Sequence, residues 1–271
     1  MSEVNVAIRL GAVLWLAAPS LGFALALEQA SQSAGALLQA QKAAPARPAL
    51  APFSGKAGAP AVLHAVVDKS KLTFDDGDTV YVELSAESGI LDKDGRPFSG
   101  ELRLLGYDTP ETLHPEHGIF YHQPFGPEAS ALAKKLIEAA TTVEVYTAGQ
   151  PDKYGRLLSY LVLDGKPLAV SQIEAGLAYE TVSFYGDNGF PAFAAEVTDA
   201  WSRSPIRRAI DGGQEPAFVN PHIWRKLHQD FETRIERDRW NAMRPEEREA
   251  VVETARKRAE ARAREPGHKP R

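Results

Sequence analysis

The rhythm of hydrophobic and polar positions changes several times along the chain. Residues 10–27 contain no charge and are mostly Leu, Ala, Val, Trp and Phe. Residues 31–60 show no sustained period and are rich in Ala, Gln, Pro, Gly and Ser, the composition of a linker. From residue 61 the pattern becomes strand-like. Val80, Val82 and Leu84 alternate with Thr79, Tyr81 and Glu83, which predicts a half-buried strand. Residues 61–67, 101–106, 141–147 and 156–163 predict further strands, and Asp164-Gly165 signals a hairpin turn into 166–170. Residues 87–100 predict a loop or an extended hairpin.

Helical spacing interrupts the strands. Phe125, Ala129, Leu132, Leu136 and Ile137 recur at intervals of three and four, and Pro127 suits a first helical turn. A short helix is expected over 168–175, ended by Gly176, and another over 191–203. Strands first, with a helix before the last pair, predict an α+β fold: a five-stranded OB-type β-barrel with about three packed helices. A charged helical C-terminal extension follows. There Trp224, Leu227, Phe231 and Ile235 form one apolar stripe, and after Pro245 a thinner stripe of Val251, Val252, Ala255 and Ala259 follows. Such helices pack on the domain or on each other, self-associate, or serve as a basic arm; the spacing leaves all three open.

The chain divides on this reading into residues 1–26, 27–60, 61–205 and 206–271. The first is a targeting segment: Ala24-Leu25-Ala26 gives the small-x-small pattern of a cleaved signal peptide, while about 18 apolar residues also approach the length of a membrane anchor. Either reading exports the rest, to a periplasmic or secreted location, with membrane contact only if the segment is uncleaved.

Composition narrows the chemistry. The 271 residues include no cysteine, which excludes disulfides, thiolate metal sites and cysteine nucleophiles. The net charge of −5 is segregated: residues 61–205 hold 11 Lys/Arg against 22 Asp/Glu, whereas residues 206–271 hold 16 against 12. An acidic central domain works against long-range attraction of a polyanion, so binding of nucleic acid is expected to be weak and salt-sensitive.

Three short motifs carry candidate chemistry. Asp76-Gly77-Asp78-Thr79 opens a strand and by itself is compatible with an ordinary turn. The run from Arg103 to Thr112, RLLGYDTPET, is harder to explain as structure. It places an arginine inside an apolar strand, where a buried charge needs a partner or a ligand, and then sets Asp108 and Glu111 around a Thr-Pro turn. Three carboxylates and a turn carbonyl form an oxygen-only site suited to Ca²⁺ rather than Zn²⁺. Asp152-Lys153-Tyr154-Gly155-Arg156 supplies a second arginine at a strand start.

These motifs, in this order, resemble the staphylococcal nuclease family over residues 66–185, helped by Phe125-Gly126-Pro127-Glu128-Ala129 and Glu174-Ala175-Gly176-Leu177-Ala178. The resemblance implies the barrel, Ca²⁺ dependence and hydrolysis of DNA and RNA, with single-stranded nucleic acid as substrate. It implies that Asp78 and Asp108 bind the metal through carboxylates and Thr109 through its backbone carbonyl. Glu111 would orient or deprotonate water, and Arg103 and Arg156 would clamp the phosphate bidentately. Lys153 and Tyr154 would meet a terminal phosphate, and Tyr179, Phe184 and Tyr185 are candidates to stack on a base, with Tyr185 preferred. The loop after Glu111 departs from the family pattern: it carries His114, His117 and His122, which invite a metal reading against the commoner solvent-facing one. The alternative to an active enzyme is a non-catalytic nucleic-acid- or protein-binding module on the same barrel; a lower one is an envelope protein whose function lies in the C-terminal helices.

Overall fold

A computed structural model describes residues 62–264. The N-terminal targeting segment and linker expected from the sequence lie outside the described residues. In chain order the strands are β1 (Leu63–Val66), β2 (Leu72–Phe74), β3 (Thr79–Glu83), β4 (Ser99–Leu104), β5 (Tyr107–Asp108), β6 (Val143–Pro151), β7 (Leu157–Leu163), β8 (Lys166–Pro167) and β9 (Tyr179–Glu180). The helices are α1 (Gly126–Ala139), α2 (Leu168–Glu174), α3 (Val182–Tyr185), α4 (Pro191–Ser202), α5 (Pro205–Asp211), α6 (Pro221–His228), α7 (Arg237–Ala242) and α8 (Pro245–Arg264).

The main sheet runs β1-β6-β7-β4-β3-β2, with β8 added beside β7, and β5 pairs separately with β9. This mixed α+β architecture agrees with the class read from the pattern. The strand count does not: seven strands replace five, and among the described residues no pairing links β1 to β2 to close the sheet. Strand β2 of this sheet and the separate pair β5 and β9 are two or three residues long, too short to leave a periodic signal. Within the sheet β4 and β7 run parallel and the other neighbours antiparallel.

Alternation decides what each strand buries. In β3, Val80 and Val82 face inward; in β4, Leu102 and Leu104 do the same, so Arg103 is turned to the opposite face. Helix α1 buries Ala129, Leu132, Ala133, Leu136 and Ile137 against this core, the stripe its spacing predicted. Helix α4 closes another side, with the Phe193 ring 4.9 Å from that of Tyr160.

The C-terminal stripe does not form one helix. α6 ends at His228, and the chain continues without helix to α7, so Ile235 is buried while Phe231 is exposed. Phe120, Ile235, Trp240 and Ala255 make a second, smaller core, separate from the main one. The extension therefore packs on the loop that follows Glu111. Its helices also pack on each other through α6 and α8.

Candidate active site

The register of β3 on β4 builds the centre of the site. Thr79 pairs with Arg103, and the Leu104 amide donates to the Asp78 carbonyl at 2.9 Å, so Asp78 lies at the mouth of β3 beside the outward face of β4. The chain then leaves the sheet at Gly106, and β5 pairs with β9 with Asp108 opposite Tyr179. That pairing fixes the backbone of Asp108. The Tyr107 hydroxyl donates to the Gly77 carbonyl at 2.8 Å, and the Thr109 amide donates to Asp78 Oδ2 at 3.0 Å. The acidic turn and the Thr-Pro turn are thus tied together.

Arg103 lies between the two aspartates. Its Nη1 donates to Asp78 Oδ1, and its Nη2 donates to Asp108 Oδ1 at 2.7 Å. The predicted need of an in-strand arginine for partners is met by these buried carboxylates. Glu111 is held by its backbone: its amide donates to Gln123 Oε1 at 3.2 Å, and its carbonyl accepts from the Gln123 amide at 2.9 Å. Gly126, at the start of α1, is needed here, since a Cβ at that position would fall 2.3 Å from the Glu111 carbonyl oxygen.

One residue of the cluster was not foreseen from the sequence. Arg225, from α6, reaches the same carboxylates: its Nη2 donates to Asp108 Oδ2 at 2.9 Å and its Nη1 to Asp108 Oδ1 at 3.3 Å and to Glu111 Oε1. No local signal marks it. Only its neighbour Trp224 stood out, as part of an apolar stripe.

Burial sets the protonation of the cluster. Burial opposes the charge on Asp108, but Arg103 and Arg225 outweigh it and hold the carboxyl below its ordinary range. For Glu111 burial prevails over Arg225, and with Asp108 and Asp76 adding repulsion its carboxyl rises to about 7. Asp76, half-buried beside His114, is also raised, chiefly by desolvation.

The other predicted residues lie around this centre. Arg156 precedes β7, whose Leu158 is opposite Arg103, so by alternation both arginines belong to one face of neighbouring strands. Its guanidinium is bound to Asp152 Oδ2 at 2.8 and 3.0 Å rather than to the carboxylate cluster. The Tyr154 ring is exposed and packs against Lys153 and Arg156, at 4.9 and 5.3 Å from the ring centre. Of the stacking candidates, Tyr179 is buried with its hydroxyl donating to the Phe218 carbonyl, while Phe184 and Tyr185 are exposed. His222 of α6 lies 6.0 Å from Phe184, ring centre to ring centre.

The loop histidines do not come together as a metal-binding group among the described residues. His114 is buried and bonded to Thr112 and Arg237, and His117 and His122 are exposed. Among the described residues no group of three or more His, Asp or Glu side chains is arranged to hold a metal ion, because the site carboxylates are turned onto guanidinium groups. In chemistry the donor set still suits a hard cation. Asp78, Asp108 and Glu111 bring carboxylate oxygens together around Arg103 and Arg225, while Asp76 faces His114 at 3.8 Å.

Residues 101–197 match the family model described as staphylococcal nuclease homologue. The thermonuclease of Staphylococcus intermedius is 36% identical over 113 residues, 42% of this chain and 58% of that protein. The thermonuclease of Staphylococcus hyicus is 34% identical over 113 residues, 42% and 57% of the two chains. The endonuclease YncB of Bacillus subtilis is 35% identical over 104 residues, 38% of this chain and 43% of the relative. The match thus spans little more than half the length of the thermonucleases. Over residues 101–197 the chain is similar to the staphylococcal nuclease family.

Proposed function

We propose that the protein is an exported, Ca²⁺-dependent nuclease that hydrolyses phosphodiester bonds of DNA or RNA. The observation that supports this best is the convergence of Asp78, Asp108, Glu111 and Arg103 from three separate segments into one buried cluster. The thermonuclease and endonuclease relatives support the same reaction class.

Asp78, Asp108 and the Thr109 carbonyl are the groups that would hold the cation. When bound, it supplies Lewis-acid stabilisation of the negative charge on a non-bridging phosphate oxygen. Glu111 in its ionised form orients a water and accepts its proton; burial places its ionisation near neutrality, where a general base is effective. Arg103 and Arg156 donate to the phosphate, and a planar guanidinium can do so with two parallel bonds. For this Arg156 exchanges Asp152 for substrate. Lys153 and Tyr154 bind a terminal phosphate. Tyr185, with Phe184 beside it, offers an exposed aromatic face for a base.

Export rests on the uncharged stretch 10–27 and its Ala24-Leu25-Ala26 pattern. The acidic balance of residues 61–205 makes substrate capture depend on the cation and on a few local cations, so affinity is low and falls with salt. Incubating the full chain with single-stranded DNA, with Ca²⁺ or with chelator, tests the proposal. Cleavage that requires Ca²⁺ and is lost in Glu111→Ala and Arg156→Ala supports it. Binding without cleavage under every condition would assign the chain to the non-catalytic alternative.

A further inference from the structure

We infer that Arg225 is a positioning residue of this same reaction: from the C-terminal extension it holds the Glu111 and Asp108 carboxylates in register with each other, so the extension is a working part of the active site. The inference rests on the proposed nuclease activity and names a residue that lies outside the matched family segment.

Helix α6 is held at both ends. Its approach segment is tied to the main domain twice: the Tyr179 hydroxyl donates to the Phe218 carbonyl at 2.9 Å, and the Gln123 amide group donates to the Val219 carbonyl at 2.5 Å. Phe218 itself is buried against Phe125 and Tyr179. The helix then starts on an Asn220 cap followed by Pro221, both typical of a helix start. Trp224 is buried, with its ring against Tyr121 of the loop after Glu111 and stacked on His228. The far end is tied as firmly. Arg262 of α8 donates to the carbonyls of Leu227 and Gln229 at 2.7 Å each, and the Asp230 amide donates to the Gly118 carbonyl at 2.8 Å.

Trp224 therefore anchors the helix while its neighbour Arg225 enters the site. The loop after Glu111 is gripped at the same time, and Gln123 at its end holds both backbone groups of Glu111. Glu111 is thus fixed by its backbone through the loop and by its carboxylate through Arg225. A second arginine of the extension, Arg237, reaches Asp75 at 3.3 Å and His114 at 3.0 Å, beside the acidic turn that carries Asp78.

A removable plug would look different. A helix pinned at both ends keeps the base of Arg225 in place, and leaving a buried carboxylate without its partner carries a large penalty.

The test uses the full chain with Arg225→Gln and Arg225→Lys, reading kcat and KM on single-stranded DNA and, separately, Ca²⁺ binding by calorimetry. The expected result for Arg225→Gln is a kcat at least thirtyfold lower, KM within about threefold of wild type, and Ca²⁺ binding that is not weakened. Arg225→Lys, which keeps the charge but loses the two-pronged geometry, should recover part of kcat. An unchanged kcat overturns the inference. So does a higher kcat, which would make Arg225 a cover over the site. So does a raised KM at constant kcat, which would make it a substrate contact. Loss of Ca²⁺ binding together with kcat in both variants would mean only that the site has collapsed, and overturns it too. A wild-type chain that cuts nothing removes the nuclease activity itself, whereas an active wild type with an equally active Arg225→Gln removes this inference alone.

Discussion

Arg225 and Glu111 lie 114 positions apart in the sequence, yet the guanidinium of the first donates directly to the carboxylate of the second. The contact joins α6 of the C-terminal extension to the motif that carries the candidate chemistry. It also makes the protonation of Glu111 a property of the whole described chain.

That protonation has a measurable sign. The Glu111 carboxyl rises from 4.5 to about 7 because burial outweighs the pull of Arg225. The folded state then binds the proton more tightly than the unfolded chain does. The stability this contributes is complete below pH about 4.5 and is lost as pH rises through about 7, a change of up to about 3 kcal/mol. Glu111→Gln should remove that slope. Urea unfolding of the cation-free protein at pH 4.5 and pH 8 checks it: the variant gains on wild type with pH, and parallel curves would contradict the assignment.

Asp108 behaves in the opposite way, held ionised by Arg103 and Arg225 in spite of its burial. Asp108→Asn leaves two largely buried guanidinium groups short of a charge, a loss of about 3–5 kcal/mol. Denaturant midpoints should report that loss, and cleavage should fall by more than a hundredfold. A variant as stable as wild type would show that the pairs contribute little.

Gly118 marks the closest approach of loop and extension. It has φ +76°, and a Cβ there would fall 2.0 Å from the Asp230 carbonyl oxygen. Gly118→Ala should cost about 2 kcal/mol or more, from the left-handed backbone and the clash together. Hydrogen exchange should localise the damage: amides of α6, α7 and α8 lose protection while those of β6 and β7 keep it. Uniform loss across the chain would show that the two cores open as one.

The aromatic platform separates binding from chemistry. Tyr185→Ala removes an exposed ring, so KM should rise about tenfold, as expected from stacking worth roughly 1–3 kcal/mol per base, with kcat little changed. Tyr179→Phe instead loses the bond to the Phe218 carbonyl and should cost about 1 kcal/mol of stability with KM unmoved. Steady-state kinetics and thermal melts on the two variants distinguish these roles.

Much of this site is legible in the sequence, and for local reasons. An arginine between Leu102 and Leu104 in an alternating strand requires partners, and the partners proved to be Asp78 and Asp108. The stripe of α1 is equally plain, because fourteen residues carry enough turns to reveal a period. The strands β5 and β9 are not, since two-residue ladders have none. Arg225 is hidden for a different reason. Its role depends on a contact across more than a hundred residues, and around it the sequence shows only an ordinary amphipathic stripe. That stripe also misleads: Phe231 fits its spacing but is exposed, because α6 stops three residues earlier.

The pairing of Arg225 with Asp108 and Glu111 also imposes an order on the making of the protein. During synthesis the acidic turn and the Thr-Pro turn emerge more than a hundred residues ahead of the guanidinium that joins them. At roughly 5–20 residues per second, that interval is of the order of ten seconds, during which the carboxylates have Arg103 but not its companion. The sheet can assemble in that time, but the cluster stays hydrated and electrostatically incomplete until α6 is added. A nascent chain therefore passes that interval as a scaffold with an unfinished charge cluster, which the arrival of α6 completes.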